Sequence, residues 1–351
     1  MTSSFKDHLV LQGSSIKDAL LKLNNLASDS ILFVVDEKGK LIGSLTDGDV
    51  RRGLIAGMST GNVVDEFIQP APRFIKKDDY SIDEIIKLRK GNFKVIPVLD
   101  QDDCVINVIN FGRQKSYLPL DAIIMAGGRG SRLRPMTDTV PKPLLEIDGK
   151  PIIDHNLDRL RLFGIDDFWI SIRYLGEQLE EHYGDGKSRG VNINFLHETE
   201  PLGTIGAVGQ INGLAHDNVL VTNSDLLTTL DYEDFFLDFL EKEADMSIAT
   251  IPYNVDIPYA VMETNNNMVT SFKEKPTYTY YSNGGIYLIK KNLIDFIPKN
   301  VHFNATDLML ELINQGKKVV SYPLRQYWLD IGKPDDFKKA QEDVRHLKLD
   351  I

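Results

Sequence analysis

The chain has 351 residues, of which 42% are apolar and 26% charged, and its formal net charge is −11. This length predicts two or three domains, and the composition is that of an ordinary globular protein without collagenous or low-complexity bias. The acidic balance and the lack of a long basic run argue against nucleic acid as the main partner.

The first ten letters, MTSSFKDHLV, lack the apolar core of a signal peptide, and no apolar run in the sequence approaches bilayer length. A cytoplasmic protein without membrane contact is therefore expected. Cys104 is the one cysteine, which excludes an intramolecular disulfide and a zinc cage made of thiolates. The seven histidines show no metal-ligand spacing.

Residues 1–118 contain two copies of one pattern. IKDALLKLNNL, from Ile16, has apolar residues at helical spacing, and ILFVVDEKGKLIGSL, from Ile31, is typical of strand, turn and strand. IDEIIKLRKG, from Ile82, and VIPVLDQDDCVINVI, from Val95, repeat that order. The pattern resembles a tandem pair of CBS domains, which are α+β modules, over about 9–60 and 66–117.

That resemblance implies a regulatory site for an adenine nucleotide in the first copy. Thr46 and Asp49 stand where the family contacts ligand phosphate and ribose, whereas the second copy has Asn110 and Arg113 there. The same Thr-x-x-Asp spacing is also a helix capping box, so ligand binding and capping both stay open. Because such modules pair along their helices, a homo-oligomer, a dimer or larger, is expected.

From residue 119 to residue 351 the predicted strands alternate with helices. Strands are predicted at 168–172, 191–196, 218–223 and 246–251, and helices at IIDHNLDRLRLF and EDFFLDFLEKE. Such alternation predicts an α/β domain with a mostly parallel sheet. Ligands of these sheets bind at the carboxyl ends of the strands.

The strand Ala122–Met125 leads into the most informative stretch, MAGGRGSRLRPMTDTVPKP. Its glycines allow backbone N–H groups to approach a polyanion, and the neighbouring cations favour a nucleoside triphosphate. A dinucleotide fingerprint would need a glycine where Leu133 stands, and a P-loop would need Gly-Lys-Ser or Gly-Lys-Thr, which is absent. A glycine-rich turn with solvated arginines is the structural alternative.

This half of the sequence resembles the sugar-1-phosphate nucleotidyltransferases from about Leu120 to Phe337. MAGGRGSRLRPMT followed by PKPLLEI matches the signature loop of that family. The later family segments follow in order as EPLGTIGA, NSD, FKEKP, NGGIY and WLDIG. The resemblance implies a Rossmann-like GT-A domain with a mixed, mostly parallel sheet. Such a domain joins a nucleoside triphosphate to a sugar 1-phosphate and releases pyrophosphate.

The resemblance also implies roles for single residues. The nucleotide-binding candidates are Ala126, Gly127, Gly128, Gly130, Ser131, Arg132, Glu200, Pro201, Gly203 and Thr204. Arg132, with its planar fork, and Lys142, fixed between two prolines, are the catalytic cations, in a loop expected to be exposed. Arg129 and Arg134 are interpreted as solvated, and the amino end of a following helix is expected to help bind the phosphates.

The family pairs the positions of Asp225 and Asp330 around Mg²⁺, a hard ion that prefers carboxylate and phosphate oxygens. Asp225 is also a catalytic candidate, although an isolated aspartate is more often a turn or cap residue. The sugar-phosphate candidates are Glu274, Lys275, Asn283 and Gly285. Without the resemblance, the Glu-Lys pair would be interpreted as a surface turn.

The segment EPLGTIGA resembles guanylyltransferases acting on mannose or heptose 1-phosphate more than thymidylyl- or uridylyltransferases. GTP and a hexose or hexosamine 1-phosphate are therefore predicted. The pairing with CBS modules also resembles the glucosamine-1-phosphate guanylyltransferases of bacterial legionaminic acid synthesis, a cell-surface glycan route, so mannose and glucosamine both stay open. UTP, dTTP or CTP as donor and an inactive, nucleotide-sensing transferase domain are the alternatives. A kinase is disfavoured because the sequence lacks the P-loop and the kinase catalytic-loop motif.

Overall fold

The computed structural model describes residues 5–77 and 79–347, and its front module contains two repeats of one pattern. The first repeat consists of β1 (Leu9–Leu11), α1 (Ile16–Leu26), β2 (Ile31–Val35), β3 (Leu41–Thr46) and α2 (Asp47–Ile55). The second consists of β4 (Ile75–Lys76), α3 (Ile82–Lys90), β5 (Val95–Leu99) and β6 (Val105–Asn110). In each sheet the middle strand pairs parallel with the first strand and antiparallel with the third. Serines cap the equivalent helices, because Ser15 and Ser81 each accept a backbone N–H three residues later.

The two repeats contact each other through equivalent turns and one buried carboxylate. Lys40 and Cys104, at the turn between the last two strands of each repeat, form an antiparallel bridge. Asp29 of the first repeat is paired with Lys94 at 3.0 Å and with Arg113 at 2.8 Å. Arg113, which replaces the expected aspartate of the second ligand site, therefore joins the two repeats.

The predicted alternation of strands and helices follows from Leu120 onward. The first half contains β7 (Leu120–Met125), β8 (Glu146–Ile147), β9 (Lys150–Pro151), α4 (Ile152–Leu162), β10 (Asp167–Ile172), α5 (Gly176–Tyr183), β11 (Asn192–His197), β12 (Asn218–Asn223) and β13 (Leu226–Thr228). The second half contains α6 (Tyr232–Glu241), β14 (Met246–Asp256), β15 (Val261–Asn265), β16 (Met268–Lys273), β17 (Thr277–Lys290), α7 (Ala305–Asn314), β18 (Val319–Pro323), β19 (Trp328–Asp330) and α8 (Pro334–Asp343). None of the helices within residues 5–77 and 79–347 is long and apolar enough to span a bilayer.

The central sheet has seven strands in the order β11-β10-β7-β12-β17-β14-β18. β17 runs antiparallel to both neighbours, and the other neighbouring pairs are parallel, which confirms the mixed, mostly parallel sheet. The chain passes from β7 to β10 on one side and returns to β12 on the other. The carboxyl ends of β7 and β12 therefore flank a topological switch point, where ligands of such sheets bind.

The second repeat and the α/β domain share one hydrophobic core. Ile85 of α3 and Ile109 of β6 belong to the same cluster of buried side chains as Leu160 and Phe163. The first repeat has a separate core, which includes Leu32. The boundary predicted near residue 118 therefore falls inside continuous packing.

A cluster of polar side chains also crosses this junction. Lys77, which follows β4, reaches Asp166 at 3.3 Å and Asp167 at 2.9 Å, and the three side chains are 16%, 14% and 15% exposed. Asn107 and Tyr117 both donate to Asp166 at 3.0 Å. These contacts fix the amino end of β10 to the second repeat.

Beyond the carboxyl edge of the sheet, β14 and β17 continue as a two-stranded arm that carries the β15–β16 hairpin. Tyr253 pairs with Tyr280, and Val255 pairs with Tyr278, along one face of the arm. Most residues between 253 and 282 are exposed. The arm therefore projects from the same edge as the predicted ligand site.

Candidate active site

The loop after β7 lies at the carboxyl edge of the sheet, between β10 and β12. Ala126 N donates to Ser171 O at 2.9 Å, which ties the start of the loop to β10. Gly130 has a φ of 60° and lies so close to Lys142 that an added Cβ would be 2.9 Å from the lysine Cβ. Gly128 faces open space. The loop therefore offers an unobstructed backbone surface to a ligand.

The expected helix after this loop is a wrong prediction. Ser131–Leu133 forms one 3₁₀ turn, and the next α-helix begins only at Ile152. Prolines at 135, 141 and 143 deny the segment backbone donors and restrict its dihedrals, which explains why no α-helix forms. Thr137 Oγ1 donates to Gly130 O at 2.9 Å and folds the segment back onto the loop. Loop N–H groups remain for a polyanion, but a helix dipole does not assist them.

Asp225 and Asp330 lie side by side although they are far apart in sequence. β13 pairs antiparallel with β19, with Leu226 opposite Asp330, and Ile331 N donates to Asp225 O at 3.0 Å. Burial and the neighbouring charge of Asp225 raise the pKa of Asp330. Asp330 Oδ1 is buried without a hydrogen-bond partner among the described residues, which leaves it able to bind a cation.

Two cations face these carboxylates. Lys142 Nζ contacts Asp225 Oδ2, and the two side chains are 10% and 22% exposed. The burial of Lys142 corrects the expectation of an exposed loop, because this residue packs beneath the glycine loop in the 3₁₀ turn Lys142–Leu144. Arg132 lies against Gly332, where an added Cβ would be 3.3 Å from its Nη2, and its charge opposes the rise in the pKa of Asp330.

The four charges formally cancel in this structure. The described residues contain no group of three or more acidic, histidine or cysteine side chains that could hold a metal. A metal ion between Asp225 and Asp330 would therefore need further ligand oxygens from substrate phosphates or from water.

The four sugar-phosphate candidates fall in two places. Gly285 N donates to Asn283 Oδ1 at 3.0 Å, and Gly285 packs against Asn223 at the carboxyl end of β12. Asn283 and Gly285 therefore lie at the edge where the carboxylates are. Glu274 and Lys275 occupy an exposed turn on the arm, and no hydrogen bond or ion pair in the described part of the chain joins them to the phosphate loop. Their role stays a prediction.

Glu198 is a site residue that the sequence reasoning missed. It follows β11 and is buried, and an added Cβ on Gly127 would lie 2.5 Å from Glu198 Oε1. Ser171 Oγ donates to Oε1, and Leu202 N donates to Oε2 at 3.1 Å. No ion pair involves this carboxylate in the part of the chain that the structure describes. The only sequence signal was a carboxylate within HETEPLG, two residues before the chosen Glu200.

The segment 200–204 is held by the chain that leads into α7. Gly203 packs against Phe303 O, and Thr204 Oγ1 accepts the backbone N–H of Ala305 at 2.9 Å. Glu200 and Pro201 are exposed. Through the bond from Leu202 N to Glu198, this segment is connected to the phosphate loop, so both parts of the predicted nucleotide site lie together.

Thr46 and Asp49 form the reciprocal capping box of α2 in the front module. Asp49 N donates to Thr46 Oγ1 at 3.3 Å, and Thr46 N donates to Asp49 Oδ2 at 2.8 Å. Burial opposes a low pKa for Asp49, but hydrogen bonds from Thr46 and Gln69 outweigh it and lower that pKa. The capping role is thus present, and ligand binding here stays a prediction.

Comparison with known proteins finds a family match in each half of the chain. The Nucleotidyl transferase family profile matches residues 121–346, and the CBS domain profile matches residues 8–56. The D-glycero-alpha-D-manno-heptose 1-phosphate guanylyltransferase of Aneurinibacillus thermoaerophilus is 33% identical over 229 residues, which cover 65% of this chain and 99% of that protein. The mannose-1-phosphate guanylyltransferase of Mycobacterium tuberculosis is 32% identical over 232 residues, which cover 64% of each chain.

A solved structure shows the same fold. A Bacillus anthracis protein described as a glucose-1-phosphate thymidylyltransferase, in complex with a sucrose, superposes with a TM-score of 0.53. Its sequence identity is 22%, and the superposition covers 65% of this chain and 96% of that one. The Mycobacterium tuberculosis relative extends beyond the match, since only 64% of its length is spanned.

Proposed function

This chain belongs to the nucleotidyl transferase family, and from that premise we propose that it is a sugar-1-phosphate guanylyltransferase. GTP and a hexose or hexosamine 1-phosphate, either mannose or glucosamine, would give a GDP-sugar and pyrophosphate. The observation that carries the proposal is an open glycine loop beside two cations and two carboxylates at the switch point of the sheet.

In the reaction, an oxygen of the sugar phosphate forms a bond to the α-phosphorus of GTP, and the bond from that phosphorus to the β-phosphate oxygen breaks. Loop N–H groups hold the triphosphate, and Arg132 and Lys142 stabilise charge on the leaving pyrophosphate. Asp225 and Asp330 would hold Mg²⁺, which supplies charge neutralisation to the phosphates. The buried, unpartnered Asp330 Oδ1 supports that assignment.

Glu198 supports guanine as the base. Each carboxylate oxygen accepts two hydrogen bonds, and each oxygen of Glu198 has one protein donor in this structure. Guanine presents two adjacent donors, N1–H and the 2-amino group, which match the remaining acceptor positions. Uracil and thymine present one donor between two carbonyl groups, so a buried carboxylate leaves them poorly paired.

The base assignment is tested by Glu198→Gln with Glu200→Gln as matched control, since Glu200 is exposed two residues away. We expect kcat/KM for GTP to fall about 100-fold in Glu198→Gln, because an amide donor replaces an acceptor. Glu200→Gln should stay within about twofold of the wild type in the same assay. An equal loss with GTP, UTP, dTTP and CTP would instead identify Glu198 as a purely structural residue.

Substrate identity is tested by pyrophosphate release from the four nucleotides crossed with mannose, glucosamine and glucose 1-phosphates. Turnover with GTP and one of the first two sugars is the expected result. Preference for UTP, dTTP or CTP would replace the guanylyl assignment. No release with any pair would favour a nucleotide-sensing protein with an inactive transferase domain.

A regulatory adenine nucleotide in the front module completes the proposal. Beside the α2 cap, a cavity of about 350 Å³ is lined by Leu20, Leu23, Asn24, Ala27, Ser30 and Asp47. Thr46 lies next to Asp47, so a nucleotide in this cavity would have the cap within reach. A cytoplasmic location and a homo-oligomeric state stay predictions.

A further inference from the structure

Two carboxylates offset the charges of Arg132 and Lys142, the two cations assigned to the leaving pyrophosphate, so these four side chains offer the outer phosphates of a nucleotide no net positive charge. Lys142 is paired with Asp225, and Arg132 lies beside Asp330. A nucleoside triphosphate carries about four negative charges at neutral pH, and phosphate recognition relies on charge-assisted bonds from cations. A further unpaired cation in the loop would meet that need.

Arg129 is such a cation. It lies between the open Gly128 and Gly130, it is exposed, and it forms no ion pair with a carboxylate within residues 5–77 and 79–347. Its guanidinium carbon lies 5.9 Å from the centre of the Tyr174 ring, over its face. A cation–π contact of this kind orients the guanidinium without consuming its hydrogen-bond donors.

The platform beneath Arg129 is itself fixed. Tyr174 OH donates to Thr137 O at 3.1 Å and to Asp138 O at 3.2 Å. Arg129 is therefore held on the β10 side of the loop, whereas Arg132 lies on the opposite side against Gly332. The two arginines bracket the loop surface from both sides.

The neighbouring Arg134 differs in one decisive respect. Its Nε lies 3.1 Å from Asp138 Oδ1, four residues along, so its charge is already offset. Both arginines are exposed and belong to the same segment. Arg134 is thus a natural control for the effect of removing a positive charge near the site.

We propose that Arg129 binds the outer phosphates of the nucleoside triphosphate, the part that leaves as pyrophosphate. The inference rests on the proposed function and adds a specific residue to its nucleotide site. Tyr174 is the positioning residue, because its ring presents the guanidinium to the loop surface.

The test compares Arg129→Ala with Arg134→Ala in the full-length enzyme. We expect Arg129→Ala to raise the KM for GTP and the dissociation constant for inorganic tripolyphosphate about tenfold. The KM for the sugar 1-phosphate and the affinity for GMP, which lacks outer phosphates, should not change. Arg134→Ala should alter tripolyphosphate binding less than about twofold.

Two platform variants sharpen the test. Tyr174→Leu removes the ring and should weaken tripolyphosphate binding, whereas Tyr174→Phe keeps the ring and should bind tripolyphosphate more tightly than Tyr174→Leu. Equal tripolyphosphate binding by Arg129→Ala and Arg134→Ala, or equal weakening of GMP and tripolyphosphate, overturns the inference. Absence of tripolyphosphate binding by the wild type also overturns it.

Failure of the proposed function gives a different result. A wild-type enzyme that releases pyrophosphate from no nucleotide refutes the guanylyltransferase proposal, and calorimetry with tripolyphosphate still decides the role of Arg129. A wild-type enzyme that is active with GTP but insensitive to Arg129→Ala refutes only the present inference.

Discussion

Replacing Lys77 with methionine tests whether the front module and the catalytic domain unfold as one unit. Lys77 belongs to the second repeat, and its two partners, Asp166 and Asp167, lie at the amino end of β10 in the catalytic domain. Methionine keeps most of the side-chain length and removes the charge. The two carboxylates then lose the cation that faces them across the junction.

The expected cost follows from the burial of the three groups. Removing one partner of a buried ion pair costs about 3–5 kcal/mol, because the other charge stays buried without compensation. Asn107 and Tyr117 still donate to Asp166, and Asn192 still donates to Asp167. We therefore expect the lower end, about 3 kcal/mol. With a urea m-value of about 3 kcal/mol/M, the unfolding midpoint should fall by about 1 M.

The position of the tryptophans makes the measurement selective. The chain has two, and Trp169 on β10 and Trp328 on β19 both lie in the catalytic domain. Their fluorescence during urea unfolding reports on that domain, although the substitution is in the front module. Lys76→Met is the control, since the adjacent lysine is 35% exposed in its pair with Asp103 and should contribute at most about 1 kcal/mol.

The effect should also depend on pH. Burial by itself would lower the pKa of Lys77 and raise the pKa of Asp167. The attraction between the opposite charges outweighs burial, so the pKa of Lys77 is raised and that of Asp167 is lowered. The contribution of Asp167 to stability is present above its unfolded pKa and is lost as pH falls through its folded pKa. The unfolding midpoints of the wild type and Lys77→Met should therefore converge in acid. A tryptophan transition that Lys77→Met leaves unmoved at neutral pH would refute the shared unfolding unit.

Three further outcomes are expected. Asp225→Asn should fold normally but lose at least about 100-fold in turnover, since it halves the protein charge offered to Mg²⁺. Full activity of this variant in initial-rate assays would refute the metal assignment. Activity of the wild type in excess chelator would refute it as well. Lys142→Met should melt lower than the wild type in chelator, because Asp225 and Asp330 then repel each other. Mg²⁺ should raise the melting temperature of that variant more than that of the wild type, and an equal rise would contradict this. Thr46→Ala should lower the free energy of unfolding in urea by about 1 kcal/mol, because the helix cap is lost. Calorimetry on the full chain should show saturable AMP binding to the wild type and none to this variant. Equal heats of AMP binding for the two proteins would leave Thr46 as a cap only.

The sequence predicted the parts of the molecule that depend on local pattern. The run from Ala122 to Met125 is continuously apolar because a central strand is buried on both faces, and the glycine loop follows it directly. The family order predicted the meeting of Asp225 and Asp330, which spacing alone could not provide. That contact depends on the pairing of β13 with β19, a long-range register with no local signature.

Other features arise only from tertiary packing. Lys142 is predicted from the sequence as a catalytic cation in an exposed loop, yet it is buried, and its partner Asp225 comes from a segment far along the chain. Glu198 lies among polar residues in the sequence, yet it is buried because β11 ends directly behind Gly127. The common core of the second repeat and the catalytic domain could not be predicted, because the apolar face of a helix does not show which element it packs against.

The direction of β17 has a mechanical consequence for Glu274 and Lys275, the proposed sugar-phosphate residues. Because this strand returns antiparallel beside β14, the two strands leave the sheet as a continuous hydrogen-bonded lever, and the ladder between them is irregular between Ile248 and Thr250. From that irregularity to Asp256 the lever is about 20 Å long at roughly 3.3 Å per residue. A bend of about 10° there would move its tip, with Glu274 and Lys275 beyond it, by about 3.5 Å, roughly the rise of one strand residue. A small rotation at one irregular ladder position would thus move the distal turn over a distance that matters for contact with a sugar.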